Sequence, residues 1–264
     1  MFSKKLLIFL LIIVSFLFCF RIYAAEKEWQ EKKSTHFIIY YKKSVDRDFI
    51  EDIIETAERN YDEIAKNLGY YRYKFWLWDD RAKIYIYPDQ PSFQKEMDQP
   101  SWSGGCASYQ QKAIWTFPHA AGFFDSILPH ELGHIVFREF VGFQSNIPLW
   151  FEEGVASYQE KSKRYAAKNI VKDLLVKDQL LGIEELAKVT NTNTMRDKER
   201  VEIFYAEAVS IIYFLINRYG NSKFAKLCKS LNDNMSFDKA LKKSYYSITN
   251  TQDLEKEWIR YLHQ

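Results

Sequence analysis

Apolar residues recur at helical spacing over residues 46–69. Phe49, Ile53, Ile54, Ala57, Tyr61, Ile64 and Leu68 fall on one face, and Gly69 supplies a stop. Strand-like runs surround this helix. "THFIIYY" (35–41) is β-rich, "AKIYIYP" (82–88) alternates, and "GCASYQQKAIWTF" (105–117) reads as two short strands around Gln110 and Gln111. Beyond Phe123 the strand signals stop. Residues 126–141, 148–163, 164–178, 202–219, 222–231, 236–244 and 251–262 all carry helical patterns. The expected fold is α+β: a small sheet lobe with a helix over about 34–123, a mostly helical lobe over about 124–264, and a cleft between them. With 47% hydrophobic and 17% aromatic residues, the chain can bury a core without disulfide staples.

The first residues follow a different pattern. Lys4 and Lys5 precede an unbroken, mostly apolar run from Leu6 to Phe20, followed by Arg21 and "IYAAE". A basic start, a short apolar stretch and small residues behind it describe a secretory signal over 1–24, with the exported domain over 25–264. An uncleaved membrane anchor is the rival reading, although the run is short against the roughly 20 residues of a spanning helix. Removing the three basic residues of this segment from 37 leaves 34, against 35 acidic ones. So nearly neutral a chain gives no electrostatic reason for a nucleic-acid partner. The basic stretch "KSKRYAAKNIVK" (161–172) reads as a solvated helix face. Cys106 and Cys228, far apart in sequence, read as two unpaired thiols.

The candidate chemistry lies in "SILPHELGHIVFREFVG". Ser126 can cap this helix, Pro129 is tolerated in its first turn and Gly142 can end it. His130 and His134 then stand one turn apart on one face, the geometry by which two imidazoles share a metal ion. Glu131 lies about 100° round the helix, beside such an ion without having to be on it. A catalytic zinc site usually takes three protein ligands and leaves one position open. The stretch "IPLWFEEGVASYQE" (147–160) offers the third, with Pro148 at a helix start and Glu153 nineteen residues after His134.

HELGH, an eighteen-residue connection and Glu153 within "WFEEGVASY" resemble the gluzincin metallopeptidases. The later runs "YAEAVSIIYFLINRYG", "SFDKALKKS" and "LEKEWIRYL" look like the helical tail of the peptidase MA-like proteins of bacteria. The resemblance implies a zincin-like fold and a zinc ion. It further implies His130, His134 and Glu153 as the ligands and Glu131 as the general base. Glu152, one position away, is the competing third ligand. The resemblance does not extend to the aminopeptidases' amine-binding motif, so an endopeptidase acting on peptides or proteins is expected.

Around the ligands, Glu160 lies two turns beyond Glu153 on the same face and is the candidate partner for a ligand histidine. A solvated helix-end glutamate is the alternative. Ser157 stands where some gluzincins have an aspartate. Related gluzincins bring a tyrosine over the zinc from a later helix. By position Tyr205 fits that part as oxyanion donor, unless it only packs between helices. Tyr158 falls about 140° from Glu153 and should face elsewhere. His36 and His263 read as surface histidines and His119 as a loop histidine. A second functional class, an envelope binding or assembly protein that kept the fold, stands against the enzyme. The presence of Glu131 favours the enzyme, because a structural site has no use for a base there.

Overall fold

A computed structural model describes residues 29–70, 80–101, 103–143, 147–195 and 197–264. The apolar N-terminal run, and with it the choice between signal and anchor, lies outside the described residues. Among those described, no helix is long and apolar enough to cross a membrane.

Five short strands form one mixed sheet: β1 (Gln30–Lys33), β2 (Phe37–Tyr41), β3 (Ala82–Ile86), β4 (Gly105–Ser108) and β5 (Ala113–Thr116). Their order is β1-β2-β3-β5-β4, with β2, β3 and β5 parallel in the middle and the two edge strands antiparallel. The alternation seen in the sequence sends Phe37, Ile39, Ile84, Ile86 and Ile114 to one fully buried face. On the other face Tyr40, Tyr85 and Trp115 stack in register across three strands, with ring centroids 4.8 and 5.6 Å apart. Helix α1 (Arg47–Leu68) lies against the inner face, and Asp46 caps it by accepting the Asp48 N–H at 2.7 Å.

The remainder is helical, as expected of an α+β, zincin-like chain. After a short α2 (Gln90–Met97) come α3 (Leu128–Val141), α4 (Leu149–Gln159), α5 (Lys161–Val176) and α6 (Gly182–Lys188). The chain then continues through α7 (Lys198–Tyr219), α8 (Asn221–Asn232), α9 (Phe237–Ser244) and α10 (Thr251–Leu262). Three elements escaped the sequence pattern for physical reasons. Strand β1, "QEKK", is polar and mostly exposed. Helix α2 buries only Phe93, and α6 has seven residues, so neither shows a periodic stripe.

Two helix boundaries also differ from expectation. Ser126 does not cap α3. A single π turn (Phe123–Ile127) leads into the helix, its end has no side-chain cap, and the Ser126 hydroxyl bonds to Glu160 instead. The helices expected at 148–163 and 164–178 divide earlier, because Glu160 takes an extended conformation (φ −77°, ψ 105°) between α4 and α5.

Small residues set the distances between the helices that matter. A Cβ on Gly133 of α3 would stand 3.0 Å from both the Ala156 Cα and the Gln159 Cγ on α4. A Cβ on Gly154 of α4 would stand 2.7 Å from the Ala208 carbonyl oxygen and 2.9 Å from the Ile212 Cγ1 on α7. These contacts stack α3, α4 and α7 closely. Gly154→Ala must therefore push α4 away from α7. Thermal unfolding should report a loss of about 1–3 kcal/mol, the usual penalty of overpacking. An unchanged midpoint would mean that the two helices separate freely.

Helix α6 is held at its start by two carboxylates, one fully and one partly buried. Glu207, fully buried on α7, accepts the backbone N–H groups of Leu181 (2.7 Å) and Gly182 (3.1 Å), and Glu255 accepts that of Ile183. Burial outweighs those bonds and, with repulsion from Glu255, raises the Glu207 pKa to about 7. A pKa raised on folding means that the folded state holds the proton more tightly than the unfolded one. The resulting stability is full below the ordinary glutamate range and is lost as pH rises through about 7. Between pH 4.5 and 8 the loss should be on the order of 3 kcal/mol, at about 1.4 kcal/mol per pH unit between the two values. Denaturant titrations at the two pH values should show it, and Glu207→Gln should flatten the difference. An equally steep dependence in the variant would place its source elsewhere.

Candidate metal centre and active site

Helix α3 presents His130 and His134 one turn apart, and α4 returns alongside it to present Glu153. The three side chains converge. His130 Nε2 lies 3.2 Å from His134 Nε2, and Glu153 Oε2 lies 3.6 Å from the first and 3.7 Å from the second. Four tetrahedral ligands at about 2.0–2.2 Å from one zinc ion stand about 3.3 Å from each other. The triangle therefore has the dimensions of three such ligands, and the group could hold a metal ion. Its chemistry fits a cation too: two ring nitrogens face each other and a carboxylate at the same point.

The outward nitrogens of the two imidazoles face different carboxylates. His130 Nδ1 meets Glu160 Oε1 at 2.8 Å. Glu160 is fully buried and is also bonded by Ser126 and by Lys163 Nζ at 2.8 Å. The solvated helix-end alternative for Glu160 does not describe its position. The helix break noted above turns this carboxylate inward. His134 Nδ1 is buried with no hydrogen-bond partner, and its nearest carboxylate is Glu152 Oε1 at 3.6 Å. Glu152 in turn is gripped by Arg138 through both Nε (2.6 Å) and Nη2. Glu152 thus stands behind the pair of histidines, away from the point where Glu153 meets them.

The electrostatics follow from this packing. Burial disfavours ionisation of Glu153, but both histidines hold its pKa far below the usual carboxylate range. Burial likewise opposes the imidazolium of His134, yet Glu152 and Glu153 raise its pKa to about 9. His130 is also raised, because Glu153 and Glu160 outweigh its burial. Each group is stabilised by opposite charge, and a divalent cation in the triangle would take over the part that protons on the imidazoles play.

Strand β4 and the turn after it form the facing wall. The Tyr109 ring stacks on His134 with centroids 4.7 Å apart. Burial raises the Tyr109 pKa well above normal, and the charges of Glu131, Glu153 and Glu152 add to the rise. Burial, and after it the Glu131 charge, raises the Cys106 thiol of β4 to about 11. Tyr205, from α7, is within reach of the triad: burial, and after it Glu153, raises its pKa to about 12. Tyr158 does face elsewhere, packed near Tyr213 and under Arg164.

The histidines outside the motif take no part. His36 stacks on Tyr61 and bonds Glu58 at 2.6 Å, so it is a paired, partly buried residue and not a free surface one. His119 packs beside Phe49, and His263 is exposed. Cys106 and Cys228 are both free thiols.

A family model described as the peptidase MA superfamily matches residues 78–264, a stretch that contains every residue of the triad and its partners. The chain belongs to the peptidase MA superfamily. No curated protein matches it. Membership supports a peptidase in general and sits well with a possible His-His-Glu metal site. In this peptidase MA protein four site neighbours were not singled out from sequence: Tyr109, Arg138, Lys163 and the Ser126 hydroxyl. Three of them carried a local signal, since Arg138 follows His134 by one turn, Lys163 follows Glu160 by three residues and Ser126 precedes His130 by four. Tyr109 reaches the site from the turn after β4, with no such signal.

Proposed function

We propose that the chain is an exported, zinc-dependent peptidase that cuts within peptides or proteins. The observation that carries this reading is the convergence of His130 Nε2, His134 Nε2 and Glu153 Oε2 on one point, with Glu131 on the same helix. A zinc ion held there would polarise the scissile carbonyl and acidify a water beside it. Glu131 accepts a proton from the attacking water and delivers it to the leaving amine nitrogen. Glu160 holds the His130 imidazole in orientation and Glu152 supplies negative charge behind His134, with Lys163 and Arg138 fixing those carboxylates in turn.

The Tyr205 hydroxyl donates to the oxygen on which negative charge develops. Among the described residues strand β4 pairs only with β5 and leads directly to Tyr109 on His134, which supports a substrate backbone pairing in extended form along its other edge. Purified protein should hold about one zinc per chain and cleave internal bonds in a peptide-library digest. A metal-free protein inert toward the library would sink the reading. The N-terminus of protein recovered outside the cytoplasm should begin near Ala25, whereas an intact N-terminus in washed membranes would indicate an anchor.

Tyr205→Phe removes one hydroxyl and keeps the ring. Turnover should fall roughly a hundredfold with the metal retained, the scale of losing one oxyanion donor. Unchanged turnover would return Tyr205 to a packing role and leave Tyr109 as the next candidate hydroxyl.

A further inference from the structure

Helices α5 and α7 run side by side past the metal centre, and both carry seam-like spacing. On α5 residues 163, 167, 170 and 174 follow each other by four, three and four, and on α7 residues 202, 206 and 209 by four and three. Such seams normally close on one another. Here they enclose a cavity of about 510 Å³ whose wall is formed by Ala167, Ile170, Leu174, Tyr205, Ala206 and Val209. Small residues at 167 and 206 leave the space open. Ile170, at a seam position, is 47% exposed, so the pattern places an apolar residue there that the described residues leave half uncovered. The charges of Lys163, Glu199 and Glu202 come from the N-terminal ends of the two helices, and the rest of the wall is mostly apolar. The stretch 161–172, read from sequence as a solvated face, is therefore solvated on one side only.

The cavity is joined to the site by two residues. Tyr205 contributes its ring to the wall while Glu153 and Thr192 act on its hydroxyl. Lys163 lines the cavity, lies 5.5 Å from the Tyr205 ring centroid, and bonds the carboxylate that holds His130. We infer that this cavity between α5 and α7 receives a large apolar or aromatic side chain of the substrate, next to the bond that is cut. The inference rests on the peptidase reading and adds a substrate class to it: peptides with a Phe, Leu or Met beside the scissile bond. The volume lies within the roughly 300–1,000 Å³ of small-ligand sites. The apolar part of the wall, Ala167, Ile170, Leu174, Ala206 and Val209, gives no hydrogen bond to a polar side chain seated on it, whose desolvation would go uncompensated.

The test uses two short fluorescent peptides that differ only by Phe or Ala beside the cleaved bond. The wild type should favour the Phe peptide by roughly 10–100-fold in kcat/KM, the scale of burying one aromatic side chain. Ala206→Trp fills the cavity and should remove that preference, lowering kcat/KM for the Phe peptide much more than for the Ala peptide, with zinc content kept. Ile170→Glu, at an exposed position that folding tolerates, should weaken the Phe peptide and improve a Lys counterpart. Equal cleavage of Phe and Ala peptides by wild type and both variants would overturn the inference while leaving the peptidase reading intact. Binding of the same peptides to Glu131→Gln protein, followed by fluorescence polarisation, gives a readout that needs no hydrolysis. Tighter binding of the Phe peptide, lost on adding Ile170→Glu, supports the cavity even if no peptide is cut. Equal binding of the two peptides overturns it.

Discussion

Glu131→Gln should keep the metal and lose hydrolysis. The substitution is nearly isosteric, so α3 and its contacts with α4 stay as they are. Glu131 Oε atoms are not among the three that converge, and the His130, His134 and Glu153 triangle is untouched. What disappears is the only chemical property the proposed mechanism asks of this side chain, the ability to take a proton and give it back. A positioned general base is worth roughly 10²–10⁴-fold, and turnover should fall by that much with zinc content at the wild-type level. Metal analysis and a peptide assay on the same preparation decide it. Cleavage at the wild-type rate would remove Glu131 from the mechanism.

His134→Ala should empty the site. His134 is 1% exposed and supplies one corner of the triangle. Two remaining ligands, His130 and Glu153, do not meet the three-ligand requirement of a zinc site that keeps an open position. Affinity should fall by more than the roughly 10–100-fold typical of losing an outer-shell partner, and the purified variant should carry little zinc. The change also removes the ring on which Tyr109 stacks, so circular dichroism should accompany the metal analysis to show that the helices remain. Full occupancy in a folded variant would strike His134 from the ligand set.

Much of this was legible along the chain because it is local. Four residues separate His130 and His134, and any α-helix brings such a pair to one face. The buried faces of α1 and of β2, β3 and β5 follow directly from their periods of 3.6 and 2. Glu160 could be proposed from its two-turn distance to Glu153, although the reason it faces inward was hidden. The chain leaves the helix at Glu160, and its carboxylate then meets His130, Ser126 and Lys163, which belong to three separate elements. Ser126 shows the converse. A serine before a helix reads as a cap, but the partner it takes lies thirty-four residues away.

By itself the sequence determined the α+β class, the order of the larger elements, the two-histidine face of α3 and the presence of carboxylates at the right distance along the chain. These depend on repeat spacing and on short-range geometry, which the backbone imposes wherever the residues occur. Only the tertiary structure decided between Glu152 and Glu153 as the carboxylate that meets both histidines, placed Tyr109 on His134 and Tyr205 beside Glu153, and left a cavity between α5 and α7. Neighbouring residues on a helix point about 100° apart, and which direction is the inside depends on how closely α3, α4 and α7 approach. Gly133 and Gly154 set that approach, through contacts with residues distant from them in sequence that no local pattern encodes.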